Sequence, residues 1–139
     1  VITPEALEPF KITLPEQEPK PLKYLEEKDR YSYDVNLSVS IKGKDDKDFV
    51  VVGETNYKYM YWTANQQISH HSITGCSMKV GDLLGSGTIS GTDEKSYGCL
   101  LEANKNGTKK IKVGEKEKFW LEDYDTVNMT AICNGKDFC

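Results

Sequence analysis

Arginine is almost absent from this sequence of 139 residues. Of the 18 basic residues, 17 are lysine and Arg30 is the sole arginine, and 22 acidic residues bring the net charge to −4. Arginine makes the bidentate contacts to phosphate and guanine, and nucleic-acid binding depends on a surplus of positive charge. We therefore expect no nucleic-acid partner.

Long hydrophobic runs are absent as well. No apolar stretch approaches the roughly 20 residues of a membrane-spanning helix, and the residues after Val1 do not resemble a signal peptide. Leu, Ile, Val and Phe together number 31, just above the level typical of disordered chains. We expect a folded fragment of a longer polypeptide, with a small core and no membrane partner.

Cysteine is sparse and irregularly spaced. The four cysteines lie at positions 76, 99, 133 and 139, and no pair has the C-x-x-C spacing of a zinc or redox site. Two disulfides in a secreted protein are an alternative, which three N-x-S/T sequons at Asn36, Asn106 and Asn128 would support. Because Asn36 and Asn128 fall in apparent strands, we interpret the cysteines as free thiols and the protein as cytoplasmic.

Proline is confined to the beginning of the chain, and none of the five prolines follows Pro21. Proline fixes φ and lacks a donor N–H, so residues 1–30 are expected to form a proline-rich connecting arm. Within the arm, Thr3 and Pro4 fit a helix N-cap followed by the first helical position. The domain proper is expected over residues 31–139.

Strand patterns dominate the rest of the chain. From Tyr31 to Ile41 apolar and aromatic residues occupy the odd positions, which predicts a strand that buries its odd face. Phe49–Val52 is expected to return as the hairpin partner of this strand. Further strands are predicted at Leu83–Ile89, Cys99–Ala103, Lys110–Val113, Phe119–Leu121 and Thr126–Cys133.

One substantial helix is predicted from about Asn56 to Ser72, with Thr55 or Asn56 as N-cap and Gly75 beyond its end. Residues at steps of three and four indicate one buried face of this helix. The face consists of Met60, Tyr61, Ala64, Ile68 and His71. The predicted fold class is α+β, mostly β, with one helix.

Three local features could carry chemistry, although each also has a structural explanation. The glycine-rich segment 85–91 matches neither the dinucleotide fingerprint nor the phosphate loop, so tight turns are favoured over a ligand loop. His70 and His71 are adjacent and diverge by about 100° on a helix, which favours structural roles over joint metal ligation. Glu102 ends an apolar run, where it either orients a partner or has simply reached solvent.

A collinear series of longer motifs resembles one known family. The motifs are Asp34–Val39 (DVNLSV), Asn56–Thr63 (NYKYMYWT), Gln66-Gln67, His70-His71, Gly81–Gly91 (GDLLGSGTISG), Tyr97-Gly98 and Leu100–Glu102 (LLE). Over nearly the whole chain, this series resembles the C-terminal part of enzymes of the fumarylacetoacetate hydrolase family. The YMYW segment and the QQ…HH run resemble the members that cleave 4-fumarylacetoacetate itself.

The resemblance implies a metal-dependent hydrolase that cleaves the carbon–carbon bond of 4-fumarylacetoacetate to fumarate and acetoacetate, the last step of tyrosine breakdown. It further implies a mixed β-roll, a homodimer, a Ca²⁺ or Mg²⁺ ion held by carboxylates, and a water activated by a Glu–His pair. Glu102 matches the catalytic glutamate that orients the histidine. Thr88 matches a threonine that contacts the substrate.

Several parts of the family's site have no counterpart here. Its metal ligands, its catalytic histidine and the residues that stabilise the leaving group lie upstream of the matching region, so no residue of this chain is assigned as a metal ligand. Residues 31–139 are therefore expected to be a catalytic domain that is incomplete at both ends and inactive by itself. After Gly91, where relatives often have proline, this chain has Thr92-Asp93. The alternative hypothesis is a non-catalytic, β-rich binding or interaction module.

Overall fold

The computed structural model describes residues 1–135, which form seven strands, three α-helical segments and three short 3₁₀ turns. The helical segments are α1 (Pro4–Leu7), α2 (Ala64–Ile73) and α3 (Leu100–Ala103). The strands are β1 (Lys11–Thr13), β2 (Tyr31–Tyr33), β3 (Asn36–Lys42), β4 (Val50–Asn56), β5 (Ile111–Val113), β6 (Lys116–Lys118) and β7 (Thr126–Ile132). Strands outweigh helices and α2 is the one substantial helix, which confirms the predicted α+β, mostly β class.

The central sheet is antiparallel, with the strand order β4–β3–β7. The predicted hairpin is confirmed, because Ile41 of β3 pairs with Val50 of β4, although β4 continues beyond the predicted end at Val52 to Asn56. The predicted burial of every odd position is wrong. Even positions are buried as well. Ser32 and Ser40 are 4% and 7% exposed, and the Ser32 hydroxyl donates to the Tyr57 carbonyl at 3.2 Å, so this polar side chain is buried with a partner.

The proline-rich arm contributes a strand of its own. β1 pairs antiparallel with β2, and the N–H of Leu14 donates to the carbonyl of Arg30 at 3.0 Å. This pairing holds the two ends of the loop between β1 and β2 side by side. At the start of the arm, Thr3 accepts a hydrogen bond from the N–H of Ala6 at 3.4 Å, which confirms Thr3 as the N-cap of α1.

The main helix begins later than the sequence predicted. Asn56 caps only a 3₁₀ turn at Tyr57–Tyr59, and Thr63 is the true N-cap of α2. Thr63 and Gln66 form a capping box, in which each side chain accepts the backbone N–H of the other residue at 3.1 Å. The box fixes where the helix starts.

The predicted apolar face of α2 is also wrong. Tyr61 and Ile68 are 48% and 44% exposed, whereas Gln66 is buried. The Gln66 side chain donates to the Gln17 side chain and to the Leu25 carbonyl, both at 2.7 Å. Polar contacts to the arm, rather than an apolar stripe, therefore dock this helix.

The other predicted strands have mixed outcomes. The predictions for Lys110–Val113 and Thr126–Cys133 are confirmed as β5 and β7. Leu83–Ile89 is irregular, because Gly87 has a φ of +81° that an extended strand does not contain. Phe119–Leu121 is a bend, and Cys99–Ala103 is helical because the Ala103 N–H donates back to the Cys99 carbonyl at 3.2 Å.

The described cysteines carry free thiols, as predicted. Cys76 is exposed, and Cys99 and Cys133 are half-buried without a disulfide partner. Cys139 lies outside the described residues. These thiols do not support a disulfide-framed module.

A buried ion pair fastens the β5–β6 hairpin to the turn before β7. Lys118 Nζ lies 2.7 Å from Asp125 Oδ2, and the two side chains are 4% and 3% exposed. Glu122 contacts Lys118 at 3.0 Å and donates its backbone N–H to Asp125. The hydrogen bond from Lys118 holds the pKa of Asp125 below its usual value, although burial opposes the shift. The hydrogen bond to Asp125 correspondingly raises the pKa of Lys118.

Asp125→Asn is expected to lower the free energy of unfolding by about 1.5–3 kcal/mol at neutral pH, because a charge-assisted hydrogen bond is lost. A carboxyl group whose pKa is lower in the folded protein stabilises the fold at any pH above its pKa in the unfolded chain. This stabilisation is lost as the pH falls through the pKa of the folded state. Thermal unfolding should therefore separate wild type from Asp125→Asn at pH 7 and bring them together in strong acid. The exposed neighbour Asp123→Asn serves as control. An equal effect of both substitutions would contradict a special role for this pair.

Candidate functional site

The end of the glycine-rich stretch, residues 88–91, lies next to residues 96–98, where the chain turns back. The N–H of Gly91 donates to the Ser96 carbonyl at 2.8 Å, and the N–H of Ser96 closes a turn on Asp93 at 3.1 Å. The returning segment is tied to the central sheet, because the N–H of Glu54 in β4 donates to the Lys95 carbonyl at 3.0 Å. The crossing of residues 88–91 and 96–98 is thus fixed relative to β4.

The closest approach of the two segments is at Gly98. A Cβ on Gly98 would lie 2.7 Å from the carbonyl carbon of Ile89 and 2.7 Å from Cγ2 of Thr88. Both distances are shorter than real Cβ contacts, and a backbone carbonyl cannot easily move away. Position 98 therefore requires glycine for this crossing.

Glu102 reaches the same place from α3. Its Oε2 accepts a hydrogen bond from the Ser90 hydroxyl and lies 3.3 Å from the N–H of Gly98. That N–H is also 3.2 Å from Ser90 Oγ. We call the set Thr88, Ser90, Gly98 and Glu102 the Gly98 junction.

The structure brings both residues predicted from the resemblance, Thr88 and Glu102, to the Gly98 junction. Both side chains are exposed, and Glu102 is helical rather than at the end of a strand. Exposed groups with free oxygen atoms can accept or donate hydrogen bonds to a ligand or to another segment. Their catalytic and substrate-binding roles stay predictions.

Sequence reasoning missed Ser90. The available signal was its spacing from Thr88, because residues two apart in an extended segment point to the same side. A serine at position 90 was noted only as a departure from the glycine fingerprint. Its contact with Glu102 depends on the crossing at Gly98, which no local pattern reveals.

An apolar cavity of about 220 Å³ borders the junction. Gly98 lines it together with Cys99, Leu100 and Ala103, and the central sheet provides the facing side chains. These are Val39, Ile41, Val52, Val127 and Met129. The junction therefore has polar groups on one side and, on the other, an apolar cavity shared with the central sheet.

The remaining candidates form no site of their own in the described chain. The hydroxyl of Tyr24 lies 2.9 Å from Nδ1 of His70, which gives His70 a structural partner, and His71 is exposed. Residues 85–88 are exposed irregular backbone. Within residues 1–135, no three His, Cys, Asp or Glu side chains gather as a metal site would require. The acids present thus do not fit a Ca²⁺ or Mg²⁺ ion, which needs about six oxygen ligands.

The chain matches a known family over nearly its whole length. The family model described as the fumarylacetoacetate (FAA) hydrolase C-terminal region matches residues 2–136. This chain belongs to the fumarylacetoacetate hydrolase family.

Curated relatives named fumarylacetoacetase are similar to this chain. The rice protein (Oryza sativa subsp. japonica) is 44% identical over 138 residues, and the cattle protein (Bos taurus) is 46% identical over 140 residues. The human protein is 44% identical over 140 residues. Each alignment covers 99% of this chain but 32–33% of the relative, so the chain spans about a third of the length of these proteins. Among residues 1–135, no helix has the length and apolarity to cross a membrane.

Proposed function

We propose that this chain is about a third of a hydrolase, from its C-terminal part, that cleaves 4-fumarylacetoacetate to fumarate and acetoacetate. The similarity to proteins named fumarylacetoacetase over 99% of the chain carries the proposal. The Gly98 junction supports it, because Thr88 and Glu102, the two residues assigned by resemblance, both lie next to Gly98. We use the term full-length hydrolase for a polypeptide of the relatives' length that contains this chain as a segment.

Glu102 is proposed to orient a histidine supplied by the remainder of the full-length hydrolase. A carboxylate that accepts the N–H of one ring nitrogen fixes the tautomer, so the other nitrogen is free to deprotonate water. The carboxylate also stabilises the imidazolium that forms when the proton is taken. The exposed position of Glu102 leaves it accessible to such a partner.

Thr88 is proposed to contact the substrate through its hydroxyl. A hydroxyl can donate to a substrate carboxylate or keto oxygen. The Thr88 methyl group faces Gly98, as the short distance from Cγ2 to the glycine shows. The side chain is thereby oriented by the same crossing that places Glu102.

The cation and the assembly of the full-length hydrolase are further parts of the proposal. A Ca²⁺ or Mg²⁺ ion would be held by carboxylates outside residues 1–135, since the acids of that part of the chain form no cluster. We further propose a cytoplasmic homodimer that acts on this small-molecule substrate, without nucleic-acid or membrane partners. The scarcity of arginine supports the absence of a nucleic-acid partner, and the free thiols of the described cysteines support the cytoplasmic location.

Product analysis tests the proposed function directly. The full-length hydrolase is incubated with synthetic fumarylacetoacetate and a divalent cation, and the products are identified by NMR. Fumarate and acetoacetate are expected in equal amounts. Unchanged substrate, or an isomer of it, would contradict the proposal.

Thr88→Val in the full-length hydrolase is expected to lower kcat/KM by a factor that corresponds to about 1–3 kcal/mol, because a polar contact with the substrate is lost. Valine keeps the branched shape that packs against Gly98, so the fold should persist. Thr92→Val, on the exposed turn, is the matched control and should be neutral. Steady-state kinetics with fumarylacetoacetate give kcat/KM for both variants. Equal values for both variants would reduce Thr88 to a structural residue.

A further inference from the structure

The Glu102 carboxylate is held by two neutral donors on one of its oxygens. Oε2 accepts from the Ser90 hydroxyl and lies 3.3 Å from the Gly98 N–H. Among the described residues, no hydrogen bond or ion pair reaches Oε1. The carboxylate plane is therefore constrained at one oxygen, and the other oxygen is available to a further donor.

Neutral donors, unlike an ionic partner, do not offset the negative charge of the carboxylate. A lysine or arginine at this place would offset the negative charge of Glu102, and the described residues place none in contact with it. The nearby Lys105 pairs instead with Glu94, at 3.6 Å. A hydroxyl and a backbone N–H fix the orientation while the full charge stays available to polarise a histidine.

Helix capping does not account for this arrangement. Glu102 occupies the third position of α3, from which a glutamate commonly accepts the backbone N–H of the N-cap residue. Cys99 is that N-cap, and its side chain makes no capping bond. The Glu102 side chain instead reaches past Cys99 to Gly98 and across to Ser90.

We infer that Ser90 is a positioning residue that holds the Glu102 carboxylate in the orientation needed to accept a histidine N–H. This inference rests on the proposed function. Ser90 is half-buried and shares the Gly98 N–H with Glu102, so its hydroxyl hydrogen is directed at the carboxylate. Ser90 acts through Glu102 and does not contact the substrate.

Kinetics of three single variants of the full-length hydrolase test the inference. Ser90→Ala is expected to lower kcat by about 10–100-fold and leave KM nearly unchanged, as for other residues that orient a functional group. Ser90→Thr retains the hydroxyl and should recover most of the activity. Ser86→Ala, in the same exposed segment with only a local hydrogen bond to Gly87, is the control and should match wild type.

A double-mutant cycle separates positioning from mere structural support. If Ser90 acts through Glu102, adding Ser90→Ala to Glu102→Gln should cause little further loss of kcat. Equal losses in both backgrounds, an unchanged kcat for Ser90→Ala, or no recovery in a folded Ser90→Thr variant would each overturn the inference. Thermal unfolding of every variant establishes that it is folded. Failure of the wild-type protein to hydrolyse fumarylacetoacetate would instead refute the proposed function.

Discussion

Glu102→Gln in the full-length hydrolase is expected to lower kcat by about three to four orders of magnitude, by analogy with the orienting aspartate of serine proteases. Glutamine can still accept the Ser90 hydroxyl bond, so the local geometry should be kept. It lacks the negative charge that we propose fixes the histidine tautomer and stabilises the imidazolium. KM should change little, because Glu102 does not bind the substrate in this account.

Steady-state kinetics with fumarylacetoacetate measure this effect. Glu115→Gln provides a matched control, because Glu115 is exposed in the turn between β5 and β6 and its side chain has no hydrogen bond or ion pair with residues 1–135. It should retain wild-type turnover. A Glu102→Gln variant with near-normal kcat would remove Glu102 from the mechanism.

Gly98→Ala is expected to lower both activity and stability. The added Cβ would meet Thr88 Cγ2 and the Ile89 carbonyl carbon, each at 2.7 Å, so the two segments must separate. Overpacking of this kind costs about 1–3 kcal/mol of unfolding free energy. A displacement near 1 Å between Thr88 and Glu102 should lower kcat/KM by about 100-fold.

Gly85→Ala is the control that separates the steric effect at Gly98 from the change in stability that any replacement of glycine by alanine causes. No atom lies within 4 Å of a Cβ placed on Gly85, and its φ is outside the left-handed range. Its stability and kinetics should match wild type. Thermal unfolding and kcat/KM of both variants test the prediction, and indistinguishable variants would show that the crossing at Gly98 is not needed.

The sequence predicted those parts of the fold that depend on short-range rules. Thr3 before Pro4 forms the expected cap, and the strand patterns around Leu37 and Val127 give β3 and β7. The predicted alternation of burial failed because even positions such as Ser32 are buried too, with the hydroxyl bonded to the distant Tyr57 carbonyl, a tertiary contact that the alternation does not encode. The buried face of α2 failed because Gln66 binds the arm, a tertiary contact that a helical period does not encode.

The candidate site was only partly predictable. The family resemblance singled out Thr88 and Glu102, and composition or spacing alone favoured structural roles for the acid. Cys99–Ala103 was predicted as a strand, whereas the helical turn is what directs Glu102 toward Gly98. Ser90 enters the site through the crossing of two segments, so its role could be inferred only from coordinates.

We propose that this chain supplies part of a hydrolase site and that the remaining groups come from elsewhere in the full-length hydrolase. The most direct measurement compares the loss of fumarylacetoacetate absorbance with the full-length hydrolase and with residues 1–139 alone, both with added calcium or magnesium. We expect turnover by the full-length hydrolase, no turnover above background by residues 1–139, and no stoichiometric calcium binding to them in calorimetry. Turnover by residues 1–139 alone, or its absence from the full-length hydrolase, would contradict the account.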